Sequence, residues 1–489
     1  MASSTASTPA KATRAKRKPA TSADPAIFEP NGSRLVAVSN RVALPRKGET
    51  QAGGLAVALR EALKPRRGMW FGWSGHTAAE TGNLKRVQRD GVVYATIDIE
   101  EKAYKGFYAG FSNATLWPLF HFRLGLMRYD RKESERYREV NEAYAEHLMP
   151  LLRKEDQVWV HDYQLIPLGA ALRARGAKHP VGFFLHIPFP PWAVFSAMPE
   201  AEKILEDMLA YDRIGLQTSH DRDGLLDCFR HGLGLKPDRR GVIHHEGRAI
   251  TIGVHPVPID SEEFARTAQK AFNGVDTQRL RESVGDRALI MGAERLDYTK
   301  GLPERLRGFA SLLANYPQHR GKVTFLQIGA RSRGEVATYA ELKRELDSLA
   351  GRINGDYGQF DWTPVRYVMR AIPRDTLAGF YRASRVGFVT PLRDGMNLVA
   401  KEYIAAQDPE DPGVLVLSKF AGAAEVLDAA LLVNPLDAEA MAAALDQAIN
   451  MSLDERKARW RQLMNRLEQE SPGGWAEGFL SALPSEVGP

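Results

Sequence analysis

Residues Arg393 to Tyr403, RDGMNLVAKEY, combine groups able to bind an anionic ligand rich in hydroxyls. They follow the apolar run Val386–Thr390, which predicts a buried strand. They open an amphipathic stretch through Ile404 and Ala406, which predicts a helix. A strand, a turn holding Asp and Gly, and a helix start together free backbone N–H groups and add partial positive charge. Asp394 can accept hydrogen bonds from sugar hydroxyls. Glu402 lies four residues after Leu398, so the two share a helix face, and its carboxylate suits a pair of ribose hydroxyls. The stretch reads as a nucleotide-sugar pocket. An ordinary helix entry, with Asp394 as a cap and Glu402 solvated, stays open on these residues alone.

Other candidates also stand at strand ends. Arg295 and Lys300, in ERLDYTKG after the run Ala288–Ala293, can neutralise a diphosphate, one with a planar fork and one with a compact charge. Gly53 and Gly54 follow the first strand and a loop, where bare backbone can approach a ligand; a simple turn is the alternative. Arg41 ends the first strand and Arg333 follows the strand ending at Ile328. Together they can clamp a phosphate on a second substrate. Asp162 and His186 end two further strands, although a lone histidine is more often structural. Trp70, Trp73, Tyr108 and Trp117 offer flat rings to sugar faces, with core packing as the default reading. The dinucleotide fingerprint, the P-loop, the nucleophile elbow and the zinc-protease motif are all absent, which removes support from hydride transfer, NTPase work and zinc hydrolysis.

The elements that must hold these groups alternate strand and helix. Strands are expected at Leu35–Ser39, Gln157–Val160, Val181–Leu185 and Arg213–Leu216, with helical patterns such as Tyr137–Leu152 and Gln164–Arg175 between them. After Pro256-Val257-Pro258 the pattern restarts, with strands at Ala288–Ala293, Val323–Ile328, Val386–Thr390 and Val414–Leu417. The fold class is α/β: two doubly wound domains hinged near residue 258 and facing a cleft. Asp454–Leu483 reads as helical and as crossing back to the first domain.

A chain of 489 residues is too long for one core, and 44% hydrophobic with 26% charged residues fits a soluble globular protein. No apolar run approaches the ~20 residues that span a bilayer. The single cysteine, Cys228, excludes an internal disulfide and suits a reducing compartment, the cytoplasm. Of the formal charge of +6, five cations against two anions in residues 1–33 supply half, so no general nucleic-acid surface is implied. That Ala-, Ser-, Thr- and Pro-rich tail reads as disordered.

With VSNRVA, GGLA, WFGWSG, WVHDYQL, FFLHIPFP, ERLDYTKGLPER, SRGE, TPLRDGMNLVAKEY and LSKFAGAAE in this order, the chain from about Arg34 to Leu483 resembles the trehalose-6-phosphate synthases, retaining glycosyltransferases of family 20. The resemblance implies the GT-B fold. It divides the chain into a tail (1–32), an acceptor-binding domain (33–257), a nucleotide-sugar-binding domain (258–465) and a helical segment returning to the first domain (466–489). It implies transfer of glucose from UDP-glucose, a co-substrate, to glucose 6-phosphate, giving α,α-trehalose 6-phosphate and UDP, with no cofactor and no metal. Gly53, Gly54, Arg295 and Lys300 are implied to hold the diphosphate. Leu398, Val399, Glu402 and the Ile372 backbone are implied to hold the rest of UDP, and Asp394 and His186 to contact the transferred glucose. Arg41, Tyr108 and Arg333 are implied to hold the acceptor phosphate, with Asp162, Trp73 and Trp117 shaping the acceptor sugar site. A homodimer or homotetramer is expected, with no membrane partner.

The chain departs from the family pattern in three places: Pro191-Trp192 after FFLHIPFP, Arg331 before Ser332, and Ile372 where relatives often carry Phe. Two further functions remain open on the sequence. One is a sibling transferase with another phosphorylated acceptor, such as glycerol 3-phosphate. The other is a non-catalytic sugar-phosphate sensor, against which the intact Arg295, Lys300, Asp394 and Glu402 speak. No phosphatase segment is recognised, so the product is expected to keep its phosphate.

Overall fold

The computed structural model describes residues 34–44, 54–330 and 337–484. The expectations for the tail, for Gly53 and for Arg331 and Arg333 lie outside them.

The first sheet has nine strands: β1 (Leu35–Arg41), β2 (Met69–Ala78), β3 (Gly82–Arg89), β4 (Val92–Glu100), β5 (Gln157–His161), β6 (Val181–Phe184), β7 (Arg213–Leu216), β8 (Val242–His245) and β9 (Arg248–Val254). Their order is β3-β4-β2-β1-β5-β6-β7-β9-β8. The second sheet has six: β10 (Ala288–Arg295), β11 (Val323–Ala330), β12 (Val365–Val368), β13 (Val386–Val389), β14 (Val414–Ser418) and β15 (Leu431–Val433), ordered β12-β11-β10-β13-β14-β15. All pairs are parallel except the β3–β4 and β8–β9 hairpins. The central strands are buried along their length, as an apolar run such as Leu35-Val36-Ala37-Val38 requires when helices cover both faces.

In each sheet the chain starts in the middle and winds outward to both sides. β1 is flanked by β2 and β5, and β10 by β11 and β13. Such reversals open a crevice beyond the carboxyl ends of the strands. Pro256 to Pro258 links the two sheets between β9 and the helix Ser261–Phe272. The helix Pro472–Leu480 returns to the first sheet: its Trp475 and Phe479 rings lie 4.8 and 4.9 Å from Trp159.

Several sequence expectations shift. Trp70 and Trp73 lie on a strand that was not expected, β2, and the expected second strand is the fifth. The helix expected from Tyr137 begins at Arg131, because Asp130 accepts from the N–H groups of Lys132 and Glu133, and it ends at Leu148. Gln164 lies in a short 3₁₀ turn and the next helix starts at Leu168, after Pro167. Among the described residues no helix is long and apolar enough to cross a membrane.

Candidate active site

The loops that follow β10 and β13 are built as one unit. Asp297, fully buried, accepts from the Thr299 N–H (3.0 Å) and hydroxyl (2.9 Å), which bends Tyr298–Lys300 into a short turn. Gly301 follows at φ +62°, and a Cβ there would sit 2.3 Å from the Thr390 carbonyl oxygen, so only glycine lets the turn lie against the end of β13. The turn carries Lys300 across to Asp394, with Nζ 2.5 Å from Oδ2 and only 10% and 13% of the two side chains exposed. The Leu392 N–H donates to the Thr299 carbonyl at 2.8 Å. Arg305, wholly buried, donates to Thr390 Oγ1 (3.1 Å) and the Lys300 carbonyl (3.3 Å) and pairs with Glu294. A buried guanidinium paired and bonded in this way braces both loops at once.

Asn397 completes the turn at φ +75°, a conformation in which Asn is enriched. Its Oδ1 accepts from the Ala400 N–H, capping the helix Leu398–Ala406, while Nδ2 donates to Asp394 (3.0 Å) and Glu294 (3.2 Å). Asp394 is therefore the acceptor of a buried network rather than the helix cap. Leu398, Val399 and Ile372 pack, half-buried, on one core cluster, and Glu402 projects from the same helix toward Arg374 (3.5 Å). Burial pushes the Glu402 carboxyl up to about 6, with Arg374 opposing.

On the first-sheet side, Arg41, Trp73 and Tyr108 come together. The Arg41 guanidinium lies 5.8 Å from the Trp73 ring and against Gly75, where a Cβ would come within 2.7 Å of it. Tyr104 stacks on Tyr108 at 5.5 Å, and both pack on Trp73. Tyr108 belongs to a twelve-residue π-helical segment, Lys105–Leu116, a rare winding that recurs at functional sites. Asp162 holds φ +76° at the end of β5, an uncommon backbone for a non-glycine residue, and its carboxylate accepts from the His186 N–H at 3.3 Å. The His186 ring is neutral: burial takes its pKa down to about 3. Its nitrogens face His161 (3.0 Å) and Gln217 (3.5 Å).

The two halves touch at these groups. Trp117 Nε1 lies 3.4 Å from Asp297, and the Arg295 guanidinium sits 5.9 Å from the Trp117 ring. A Cβ on Gly395 would lie 2.2 Å from the His186 carbonyl oxygen, so only glycine admits this approach. The Gly422 N–H in turn donates to the Asp394 carbonyl at 3.1 Å. A cavity of about 660 Å³ opens beside Asp394 between the halves, with Phe122, Phe189 and Arg393 in its walls. Among the described residues no group of three His, Cys, Asp or Glu side chains is placed to hold a metal ion.

The sequence reading passed over Asn397, Asp297, Arg305, Tyr104 and Gln217. Asn397 had a usable signal, since Asn directly before a helical run is a preferred N-cap. Asp297 and Tyr104 contact residues two and four positions on, whereas Arg305 and Gln217 became visible only through contacts remote in sequence.

Residues 33–485 match the profile of Glycosyltransferase family 20. The trehalose-6-phosphate synthase of Cronobacter sakazakii is 46% identical over 451 residues, covering 92% of this chain and 95% of that protein. Among solved structures, a UDP-forming α,α-trehalose-phosphate synthase from Burkholderia xenovorans in complex with glucose-6-phosphate is 45% identical with a TM-score of 0.89, over 92% of this chain and 99% of that one. An Escherichia coli enzyme bound with UDP-2-fluoro glucose is 44% identical with a TM-score of 0.88, over 92% and 98%. The GT-B arrangement of two doubly wound sheets and a profile match over nearly the whole chain lead to one conclusion: this protein belongs to glycosyltransferase family 20.

Proposed function

We propose that the protein transfers glucose from UDP-glucose to glucose 6-phosphate, forming α,α-trehalose 6-phosphate and UDP with the anomeric configuration retained. The observation that carries the reading is the Lys300–Asp394 pair at the β10–β13 crevice, with Arg295 at the end of β10 against Trp117 of the first half, and the Arg41–Trp73–Tyr108 cluster at the end of β1 in the other sheet. The first unit suits a sugar diphosphate and the second a sugar phosphate. The relatives named above with glucose-6-phosphate or UDP-2-fluoro glucose bound add support.

Lys300 and Arg295 hold the diphosphate, with Gly53 and Gly54, at the start of the helix Gly54–Leu63, assigned to the same group. Glu402 accepts from the ribose hydroxyls, while Leu398, Val399 and the Ile372 backbone line the base. Asp394 accepts from the glucose hydroxyls once its bond to Lys300 is shared with the ligand, and His186 walls the same sugar. Arg41 and Tyr108, with Arg333, take the acceptor phosphate; Asp162, Trp73 and Trp117 shape the acceptor sugar site.

The bond from glucose C1 to the diphosphate oxygen breaks as the acceptor hydroxyl oxygen bonds to C1 on the same face. The hydroxyl proton passes to the departing phosphate oxygen. Lys300 and Arg295 stabilise the charge that grows on the leaving group, and Asp394 holds Lys300 in place before reaction. Two cations so placed supply the charge needed without a divalent ion. The surrounding aromatic walls exclude water, which limits hydrolysis of the donor.

The test is UDP release measured with glucose 6-phosphate, glycerol 3-phosphate and glucose in turn, with and without EDTA. Release with glucose 6-phosphate, unchanged by EDTA, is expected. Release only with glycerol 3-phosphate would move the function to a sibling transferase. No release with any acceptor would favour a sensor.

A further inference from the structure

The hydrogen bonds behind His186 admit one assignment of protons. The Val257 N–H can only donate, so its 3.0 Å contact identifies the oxygen of the Gln217 side-chain amide. The other end of that amide, a nitrogen that can only donate, faces His186 Nδ1 at 3.5 Å. His186 Nδ1 therefore accepts and Nε2 carries the proton. Nε2 lies 3.0 Å from His161 Nδ1, which must accept in turn. The His161 proton is left on its Nε2, a buried atom with no partner among the described residues. The opposite tautomer of His186 would set N–H against N–H at Gln217.

The chain of bonds begins at the connector between the two sheets. The Val257 carbonyl accepts from Lys401 Nζ at 2.8 Å, and Lys401 stands on the helix Leu398–Ala406 that carries Glu402. Gln217, directly after β7, is 2% exposed. Four links thus run from the helix on the nucleotide side, through the connector, to His186 and His161.

We infer that Gln217 is a positioning residue for the transfer: it holds His186 as the neutral Nε2–H tautomer and ties that ring to the interdomain connector. The inference rests on the reading above that His186 walls the transferred glucose. Positive charge develops at C1 as its bond to the diphosphate breaks, and a neutral ring beside it adds no repulsion. The link to Val257 and Lys401 makes this placement depend on the contact between connector and helix. A separation of the two domains that moves the connector releases His186 as well.

Gln217→Glu tests this in the full-length protein. Glutamate keeps an oxygen for the Val257 N–H but replaces the donor toward His186 with an acceptor, so Nδ1 gains a proton. Gln217→Met, which removes both bonds at similar volume, is the second variant. The readouts are the His186 ring-nitrogen shifts in protein labelled with 15N at histidine, assigned with His186→Asn, and steady-state kinetics. The wild type is expected as Nε2–H, and Gln217→Glu as Nδ1–H or imidazolium. In Gln217→Glu, kcat is expected to fall about tenfold or more with both KM values within about threefold. The same tautomer in wild type and both variants would overturn the inference. A changed tautomer with unchanged kcat would overturn the positioning role. Absence of UDP release by the wild type would be a failure of the proposed function instead, and the NMR result would still decide the tautomer.

Discussion

Replacing Lys300 by Met removes the ammonium and keeps the stem, and the structure separates what this does to stability from what it does to turnover. Asp394 Oδ2 accepts from Lys300 at 2.5 Å and from Asn397 Nδ2 at 3.0 Å, and only 13% of the Asp394 side chain is exposed. Without Lys300 a largely buried carboxylate keeps one neutral donor. Removing one partner of a buried pair costs about 3–5 kcal/mol, and the lower end is expected because Asn397 remains and the site opens on a cleft. Urea unfolding of the free protein should therefore show a loss of about 3 kcal/mol. The double variant Lys300→Met/Asp394→Asn removes both charges and should recover most of that loss. It still lacks a cation for the diphosphate and also lacks the carboxylate assigned to the glucose hydroxyls, so its turnover should stay down by at least roughly 10²–10³-fold, the worth of one such contact. A double variant that regained activity along with stability would refute both the diphosphate role of Lys300 and the glucose role of the Asp394 carboxylate. A single variant as stable as the wild type would refute the buried-pair reasoning.

Three further outcomes are expected. The Glu402 pKa is raised by burial to about 6, so the neutral carboxyl favours the free fold at low pH, and that contribution is lost as pH rises through about 6. The proposed ribose contact needs the ionised form, so the KM for UDP-glucose should rise about tenfold from about pH 7 to about pH 5, and Glu402→Gln should flatten the profile. An equally steep profile in that variant would remove Glu402 from the donor site. Gly395→Ala forces a Cβ to within 2.2 Å of the His186 carbonyl oxygen, which is backbone and cannot swing aside; kcat should fall by about 10² or more while the variant stays folded by circular dichroism, since small misplacements at a reacting centre cost that much. Wild-type kcat in Gly395→Ala would mean the two halves need not approach this closely. Arg41→Ala should raise the KM for glucose 6-phosphate more than it lowers kcat, measured by UDP release; unchanged acceptor kinetics would break the phosphate assignment.

The parts of this architecture that were readable in the sequence share a physical cause. Strands such as β1, β10 and β13 are buried on both faces, so they appear as continuous apolar runs, and the polar residues that break each run fall at the crevice. Arg41, Asp162, Arg295 and Asp394 could be located for that reason. The β3–β4 and β8–β9 hairpins were hidden because their edge strands are half polar; Lys85, Arg86 and Arg89 on β3 give no apolar run to read. Trp70 and Trp73 looked like a ring cluster because Gly72, which fits against the Ser39 carbonyl, interrupts the run of β2. The pairing of Lys300 with Asp394, 94 residues away, and the path from Lys401 through Val257 and Gln217 to His186 are tertiary facts with no local signal.

The most direct test of the central claim follows the anomeric carbon itself. UDP-glucose labelled with 13C at C1 is incubated with the protein and glucose 6-phosphate, and the labelled carbon is observed by NMR as UDP accumulates. The account predicts that the signal passes from the α-linked donor to an α,α-1,1 linkage in a phosphorylated disaccharide, at a rate that depends on glucose 6-phosphate. A β-linked product, or free glucose formed at the same rate without acceptor, would contradict it.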